Sequence, residues 1–250
     1  MDSRYSASYF DVESTHWWFQ ARRKILKALL VDELKKRGKT RFDHALEIGC
    51  FAGKNIEEFR QLSARWSGVE PSLEAAQHAQ QALPEAEILI GEFPRATPEG
   101  TYDAIFLFDV LEHIENSSAA LSEIKHLLRP GGLLVITVPA YQWLWTPFDT
   151  INKHFRRYTA SRLRDELYEA KLCITRIGYY NFFLFPLAVI DRILSRVRQG
   201  FVQQEIHVPS APINAVLRFI FSIETLIVPH IFFPCGLSVI TIAKNKEESV

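Results

Sequence analysis

The sequence predicts an α/β protein with a doubly wound, mostly parallel sheet. Three observations carry that prediction. Between about residues 40 and 180, short apolar runs suited to strands alternate with amphipathic helical segments, the order expected of a sheet covered on both faces. The first four runs each end in a glycine or an acidic residue, as in HALEIG at 44–49, VEPS at 69–72 and LFDV at 107–110. The chain of 250 residues is 48% apolar and 23% charged, the balance of a globular protein with a sizeable core.

The elements follow in order. A helix is expected over about residues 14–37, with Trp17, Trp18, Ile25, Leu26, Leu29, Leu30 and Leu34 on one stripe and Gly38 as its stop. HALEIG is the first strand, and KNIEEFRQL is a helix behind a glycine turn. WSGVE is the second strand, and Ser72 caps the helix SLEAAQHAQQAL. AEILIGE is the third strand and YDAIFLFDV the fourth, followed by the helix SSAALSEIKHLL. RPGG is read as a turn into LLVITVP, the fifth strand. SRLRDELYEA is a helix, and Cys173 to Tyr180 is the sixth strand.

Composition narrows the class. Lys+Arg and Asp+Glu both number 29, so the net charge is zero, which argues against nucleic acid as a partner. Cys50, Cys173 and Cys235 have neither paired nor zinc-ligand spacing, so no disulfide framework and no metal site are expected, and a reducing cytoplasm is the default. The polar start MDSRYSASYFDVES has no signal-peptide core. FFLFPLAVI at 182–190 is too short to span a bilayer. The apolar stretch at 217–243 is interrupted by Arg218, Glu224, Pro229, His230 and Pro234. Contact with a membrane surface or a greasy substrate suits these stretches better than a membrane span.

In such a sheet the ligand lies beyond the carboxyl ends of the strands. There stand Glu47, Gly49, Cys50, Phe51 and Gly53 after the first strand. Glu70 and Pro71 follow the second, Gly91, Glu92 and Phe93 the third, and Asp109, Val110 and His113 the fourth. The glycines let backbone approach a ligand closely. Glu70 can accept both hydroxyls of a ribose, and Phe93 can cover a flat heterocycle.

With these residues in place, the chain resembles a class I S-adenosylmethionine-dependent methyltransferase of the small-molecule branch. E-I-G-C-F-A-G is similar to that family's E-x-G-x-G-x-G loop. VEPS, IGEF, FDVLEHI and LRPGGLLVITVP match its later segments in order. The resemblance implies a seven-stranded, Rossmann-like methyltransferase fold whose last strand, within 236–245, runs antiparallel beside the sixth. It also implies the cofactor S-adenosyl-L-methionine, the product S-adenosyl-L-homocysteine, no metal, and a small-molecule acceptor. Residues 1–39 would be a helical cover, 40–180 and 236–250 the cofactor-binding domain, and 181–235 an apolar helical insertion that caps the substrate. HWWFQARR at 16–23 and HFRRYT at 154–159 resemble a less characterised bacterial subgroup, often associated with sugar, lipid or secondary-metabolite chemistry.

The cofactor residues carried over are Glu47, Gly49, Cys50, Phe51, Gly53, Glu70, Pro71, Gly91, Glu92, Phe93, Asp109 and Val110, with Trp18 and Arg22 of the cover. Asp109 would meet the methionine amino group, and Arg22 and Arg23 its carboxylate. His16 and Tyr9 could approach as well. Phe51 replaces the loop's second glycine and would be strained if that position needs φ > 0. His154, oriented by Asp149, is the first candidate base, with His113 and Tyr141 as further catalytic candidates. Arg156 and Arg157 could hold an acidic substrate group, or HFRRYT could merely lead into a helix capped by Thr159. The reaction expected is methyl transfer to a small, largely apolar acceptor, at oxygen in preference to carbon, by a monomer or homodimer. A non-catalytic scaffold, or a non-methylating enzyme using the same cofactor pocket, is the alternative.

Overall fold

The computed structural model describes residues 12–197 and 208–246. Seven strands, β1 (Phe42–Ile48), β2 (Ser63–Glu70), β3 (Glu87–Ile90), β4 (Tyr102–Phe108), β5 (Leu128–Pro139), β6 (Cys173–Tyr180) and β7 (Ser238–Lys244), form one sheet of order β3-β2-β1-β4-β5-β7-β6. The pairs among β1 to β5 are parallel, and β7 runs antiparallel between β5 and β6. The strand order reverses between β1 and β4. Their following loops therefore diverge, and a crevice opens at the carboxyl edge.

The helices are α1 (Trp17–Lys36), α2 (Lys54–Phe59), α3 (Leu73–Ala82), α4 (Ser117–Leu127), α5 (Pro147–Ile151), α6 (Ala160–Glu169), α7 (Phe185–Val197) and α8 (Ala211–Ser222). Side chains alternate across the sheet. Ala104, Phe106 and Phe108 of β4 share a buried cluster with Ile25, Leu26 and Leu29 of α1. Ile105 and Leu107 share the opposite one with Leu121 and Ile124 of α4 and Leu163 of α6. Ser72 caps α3 and Thr159 caps α6 by accepting backbone N–H groups, as their positions predict.

Three local expectations change. The first helix is interrupted at His16: residues 12–15 are already helical, and α1 resumes at Trp17. His16 is extended, and its ring accepts the Trp18 N–H. KNIEEFRQL divides into α2 and a 3₁₀ turn at Arg60–Leu62. RPGG is not a turn before a strand: it lies inside β5 as an irregularity between the pairs Tyr102↔Leu128 and Ala104↔Leu133. Asn245 pins it, accepting the Gly131 N–H at 3.0 Å and donating its own N–H to Gly132 at 3.2 Å. The surplus residues are thus absorbed as a bulge.

Helix α8 docks on the start of α1. Asn214 Oδ1 accepts the Trp17 N–H at 2.8 Å, Arg218 donates to Gln20 at 2.7 Å, and Phe221 meets Trp17 edge-on. Glu224, fully buried, accepts the N–H groups of Asn181, Phe182 and Phe183 and so closes the corner after β6. The other faces are open: Leu187, Ile190 and Ile193 of α7, Phe219 of α8, and Leu226 beyond it are exposed. Among the described residues no helix is long and apolar enough to cross a membrane.

Candidate active site

The loop after β1 is stitched to β2, since the N–H groups of Gly49 and Cys50 both donate to the Val69 carbonyl. Gly49, Phe51 and Gly53 all have positive φ, at 73°, 46° and 79°. At Gly49 the space is also missing, because an added Cβ would lie 2.5 Å from Val110 Cγ2. Val110 thereby brings the β4 loop against the β1 loop. Phe51 therefore does occupy the left-handed region, which costs a side-chain-bearing residue about 1–2 kcal/mol. The loop survives because Glu70 Oε2 accepts the Phe51 N–H at 2.9 Å, while Glu70 Oε1 accepts the Ser72 N–H at 2.9 Å. Phe51→Gly keeps both backbone bonds and removes the strain. It is expected to raise the melting temperature by about 2–4 °C, from roughly 1 kcal/mol in a chain of this size, without loss of cofactor affinity. A thermal melt and a calorimetric titration check this, and a tenfold loss of affinity would make the ring part of the pocket.

Beneath the loop, Glu47 is buried, with Oε1 accepting from Asn55 Nδ2 and Oε2 without a partner among the described residues. Burial pushes its pKa up to about 8, against the opposing pull of the Asn55 hydrogen bond. Cys50 is buried and free. Burial, then the nearby Glu47 and Glu70 charges, hold its thiol well above the usual range, so it is inert.

The N-terminal helix α1 reaches the same place. Arg22 forms an ion pair with Asp109 at the end of β4, and its guanidinium lies 4.6 Å from the Trp18 ring centroid. Arg23 donates to the Glu13 carbonyl at 2.8 Å. Glu13 is itself buried, and burial raises its pKa despite Arg23 and Arg22 close by. Three buried atoms of this group, Glu13 Oε2, Arg22 Nε and Glu47 Oε2, have no partner among the described residues. Buried polar atoms left unpaired are rare and point to something that completes them. Tyr180, also buried here, has its hydroxyl pKa raised by burial and by Asp109.

Other expected contacts sit less centrally. Phe93 is buried within the core cluster that contains Val69 and Leu107, Glu92 is exposed beside Arg95, and Pro71 is exposed next to Glu70. The Gly91 N–H donates to the Glu70 carbonyl, tying the β3 end to β2. Tyr9 lies outside the described residues.

The candidate catalytic groups gather at the ends of β4 and β5. HFRRYT runs along the β5 end, with Tyr158 N–H donating to Pro139 and Tyr141 N–H to Tyr158, and the Phe155 N–H donates to the Glu112 carbonyl. This docking sets the His154 ring edge-on to His113, with centroids 4.5 Å apart. Asp149 Oδ1 accepts from His154 Nδ1 at 2.9 Å. Asp149 also takes two bonds from Arg157, at 2.7 and 2.8 Å, and one from the Thr146 N–H at 2.7 Å. Its burial would raise its pKa, but His154 and Arg157 outweigh that and hold the carboxyl far below the usual range. His113 has one exposed side. Desolvation of the rest, then His154, lowers its pKa to about 4, so it is neutral at pH 7.

Both arginines of HFRRYT are held by protein groups: Arg157 pairs with Asp149, and Arg156 donates to the Glu115 carbonyl. Tyr141 takes φ 57° and stacks on Tyr179 at 5.1 Å and Trp143 at 5.7 Å, in an aromatic group with Phe185 rather than on the two histidines. The structure adds Glu13, Asn55 and Glu112, which motif reading assigned no role. Only Glu112 carried a signal, its place between the strand-end Asp109 and His113.

A family model described as a methyltransferase domain matches residues 9–177. Ubiquinone biosynthesis O-methyltransferase of Shewanella halifaxensis is 25% identical over 185 residues, 72% of each chain. The plantazolicin methyltransferase BamL, solved with a triazolic desmethylPZN analog and S-adenosylhomocysteine, superposes with a TM-score of 0.61 at 16% identity, covering 98% of this chain and 91% of that one. N-methyltransferase NodS of Bradyrhizobium japonicum, solved with the same product, gives 0.52 at 20% identity over 67% and 81% of the two chains.

Proposed function

The chain belongs to the methyltransferase-domain family and is an S-adenosylmethionine-dependent methyltransferase, and on that premise we propose that it methylates an oxygen of a small acceptor with an apolar body. One observation carries this reading. A cluster of unpaired buried polar atoms at the β1 end and a histidine–aspartate pair at the β4 and β5 ends share one edge of the sheet.

The residues present fit the cofactor. The unpaired Glu47 and Glu13 oxygens and Arg22 Nε are the kind of polar lining that an amino-acid group completes. Glu70 would take the ribose hydroxyls with the lone pairs left over from Phe51 and Ser72. Arg22 would exchange part of its bond to Asp109 for the carboxylate, and Asp109 would take the ammonium. Trp18 keeps the guanidinium in place from above. The loop Gly49–Gly53 and Val110 give the close approach.

When bound, the cofactor supplies a methyl group already activated by its sulfonium. What remains for the protein is alignment, exclusion of water and proton handling. His154 carries the proton-accepting role, because Asp149 occupies Nδ1 and leaves the Nε2 lone pair free. Asp149 keeps the charged ring stable once it holds the proton. His113, neutral at pH 7, packs against it and fixes its angle. The exposed apolar faces of α7 and α8 support an acceptor with an apolar body, or one drawn from a lipid surface.

The test is incubation of the purified chain with S-adenosylmethionine and a panel of hydroxylated acceptors with apolar bodies. S-adenosylhomocysteine is expected to form one for one with an O-methyl product, read by mass spectrometry. Product methylated at carbon, or no product across a panel that binds, would overturn the oxygen assignment.

A further inference from the structure

Glu112 has no place in the function proposed above. It sits in the 3₁₀ turn Leu111–His113 after β4, is 1% exposed, and neither carboxylate oxygen has a partner among the described residues. A buried acid with both oxygens unpaired is costly unless something completes it. Its immediate company is two imidazoles. Ligating atoms of Glu112, His113 and His154 all lie within 4.8 Å of one another. Asp149 holds Nδ1 of His154, which leaves Nε2 as the nitrogen for an ion, and is itself clamped by Arg157 and Thr146. A carboxylate behind a ligating histidine is how metal sites fix the ring and its tautomer.

The geometry points to a divalent first-row transition ion held by Glu112, His113 and His154, with Asp149 as the residue that positions His154. Two imidazoles with one carboxylate suit zinc, manganese, iron or cobalt. Magnesium and calcium prefer all-oxygen sets. Three protein ligands leave coordination positions open, and His113 is an exposed residue, so the group can be reached from solvent. Resting on the methyl-transfer reading, those positions take an acceptor that presents two neighbouring oxygens. With His154 Nε2 on the ion, the ring no longer serves as the proton acceptor assigned to it above, and the bound hydroxyl gives its proton to water. Its oxygen then forms a bond to the methyl carbon as the carbon–sulfur bond breaks, and the electron pair stays on the departing thioether sulfur. No atom changes oxidation state by way of the ion, which acts as a Lewis acid.

The test uses the full chain, stripped with EDTA and titrated with Co²⁺ alone. Saturable one-to-one binding, seen as visible absorption of tetrahedral or five-coordinate cobalt, is expected. Glu112→Gln and His113→Ala should each abolish it, and Asp149→Asn should weaken it on the order of 10–100-fold. His113 lies at the rim, so its variant stays informative if Glu112→Gln fails to fold. Absence of cobalt binding into the millimolar range, or binding unchanged in His113→Ala and Glu112→Gln, overturns the site. The same stripped protein is titrated with S-adenosylmethionine. Cofactor binding without cobalt binding sinks the ion site and leaves methyl transfer standing. Cobalt binding without cofactor binding does the reverse.

Discussion

Asp149→Asn is expected to lower stability by about 3 kcal/mol, the lower end of the range for breaking a buried ion pair, because Arg157 keeps some solvent contact with 14% of its side chain exposed. For a chain of this size that is a fall of roughly 6–12 °C in melting temperature. The amide can accept from Arg157 through one oxygen only, and its NH₂ group would face donors. The sign of the pH dependence follows from the depressed carboxyl. Its contribution is complete above the unfolded value of about 3.9 and is lost as pH falls toward the folded value. The gap between wild type and variant should therefore close in acid. Denaturant melts at neutral pH and at pH 3 check both halves. A variant as stable as wild type at pH 7 would mean that Arg157 finds another partner. Turnover should fall with it, since His154 loses the group that sets its tautomer.

Glu70→Ala is expected to weaken S-adenosylmethionine and S-adenosylhomocysteine binding on the order of 100-fold. Two hydrogen bonds to a charged acceptor, at about 1.5 kcal/mol each, account for that loss. A second effect adds to it. Glu70 also accepts the N–H groups of Phe51 and Ser72, so its removal unpins the loop that should cradle the cofactor. Glu70→Gln retains one acceptor and should fall between. Calorimetric titration of the three proteins decides it, and an unchanged dissociation constant for Glu70→Ala would remove Glu70 from the ribose. Burial already raises the Glu70 pKa, with the two backbone N–H groups restraining the shift. Affinity should therefore decline first on the acid side, as the carboxyl takes up a proton and loses acceptor capacity.

What the sequence determined is local or periodic. Continuous apolar runs dictated buried strands. Their alternation with helices dictated a parallel sheet, and the strand-end glycines and acids marked the carboxyl edge at which Glu47, Glu70 and Asp109 stand. Ser72 and Thr159 were legible as caps because a cap is a contact across three residues. Even the strain at Phe51 was legible, as a side chain at a place that wants glycine.

What only the tertiary structure decided involves partners far apart in the chain. Arg22 finds Asp109 across 87 positions, and Glu224 finds the Asn181 N–H across 43. Arg156 and Arg157 read as free cations until the fold supplied Glu115 and Asp149 to hold them. RPGG reads as a turn until Asn245 pins it within β5. Glu112 lay unused in its motif because no spacing rule joins it to His154. That pairing exists because HFRRYT lies across the ends of β4 and β5 and hydrogen-bonds to the turn that carries Glu112. Periodicity reports which face of an element is buried. Which charges meet at the carboxyl edge is set by strand order, and that order is fixed by packing over the whole sheet.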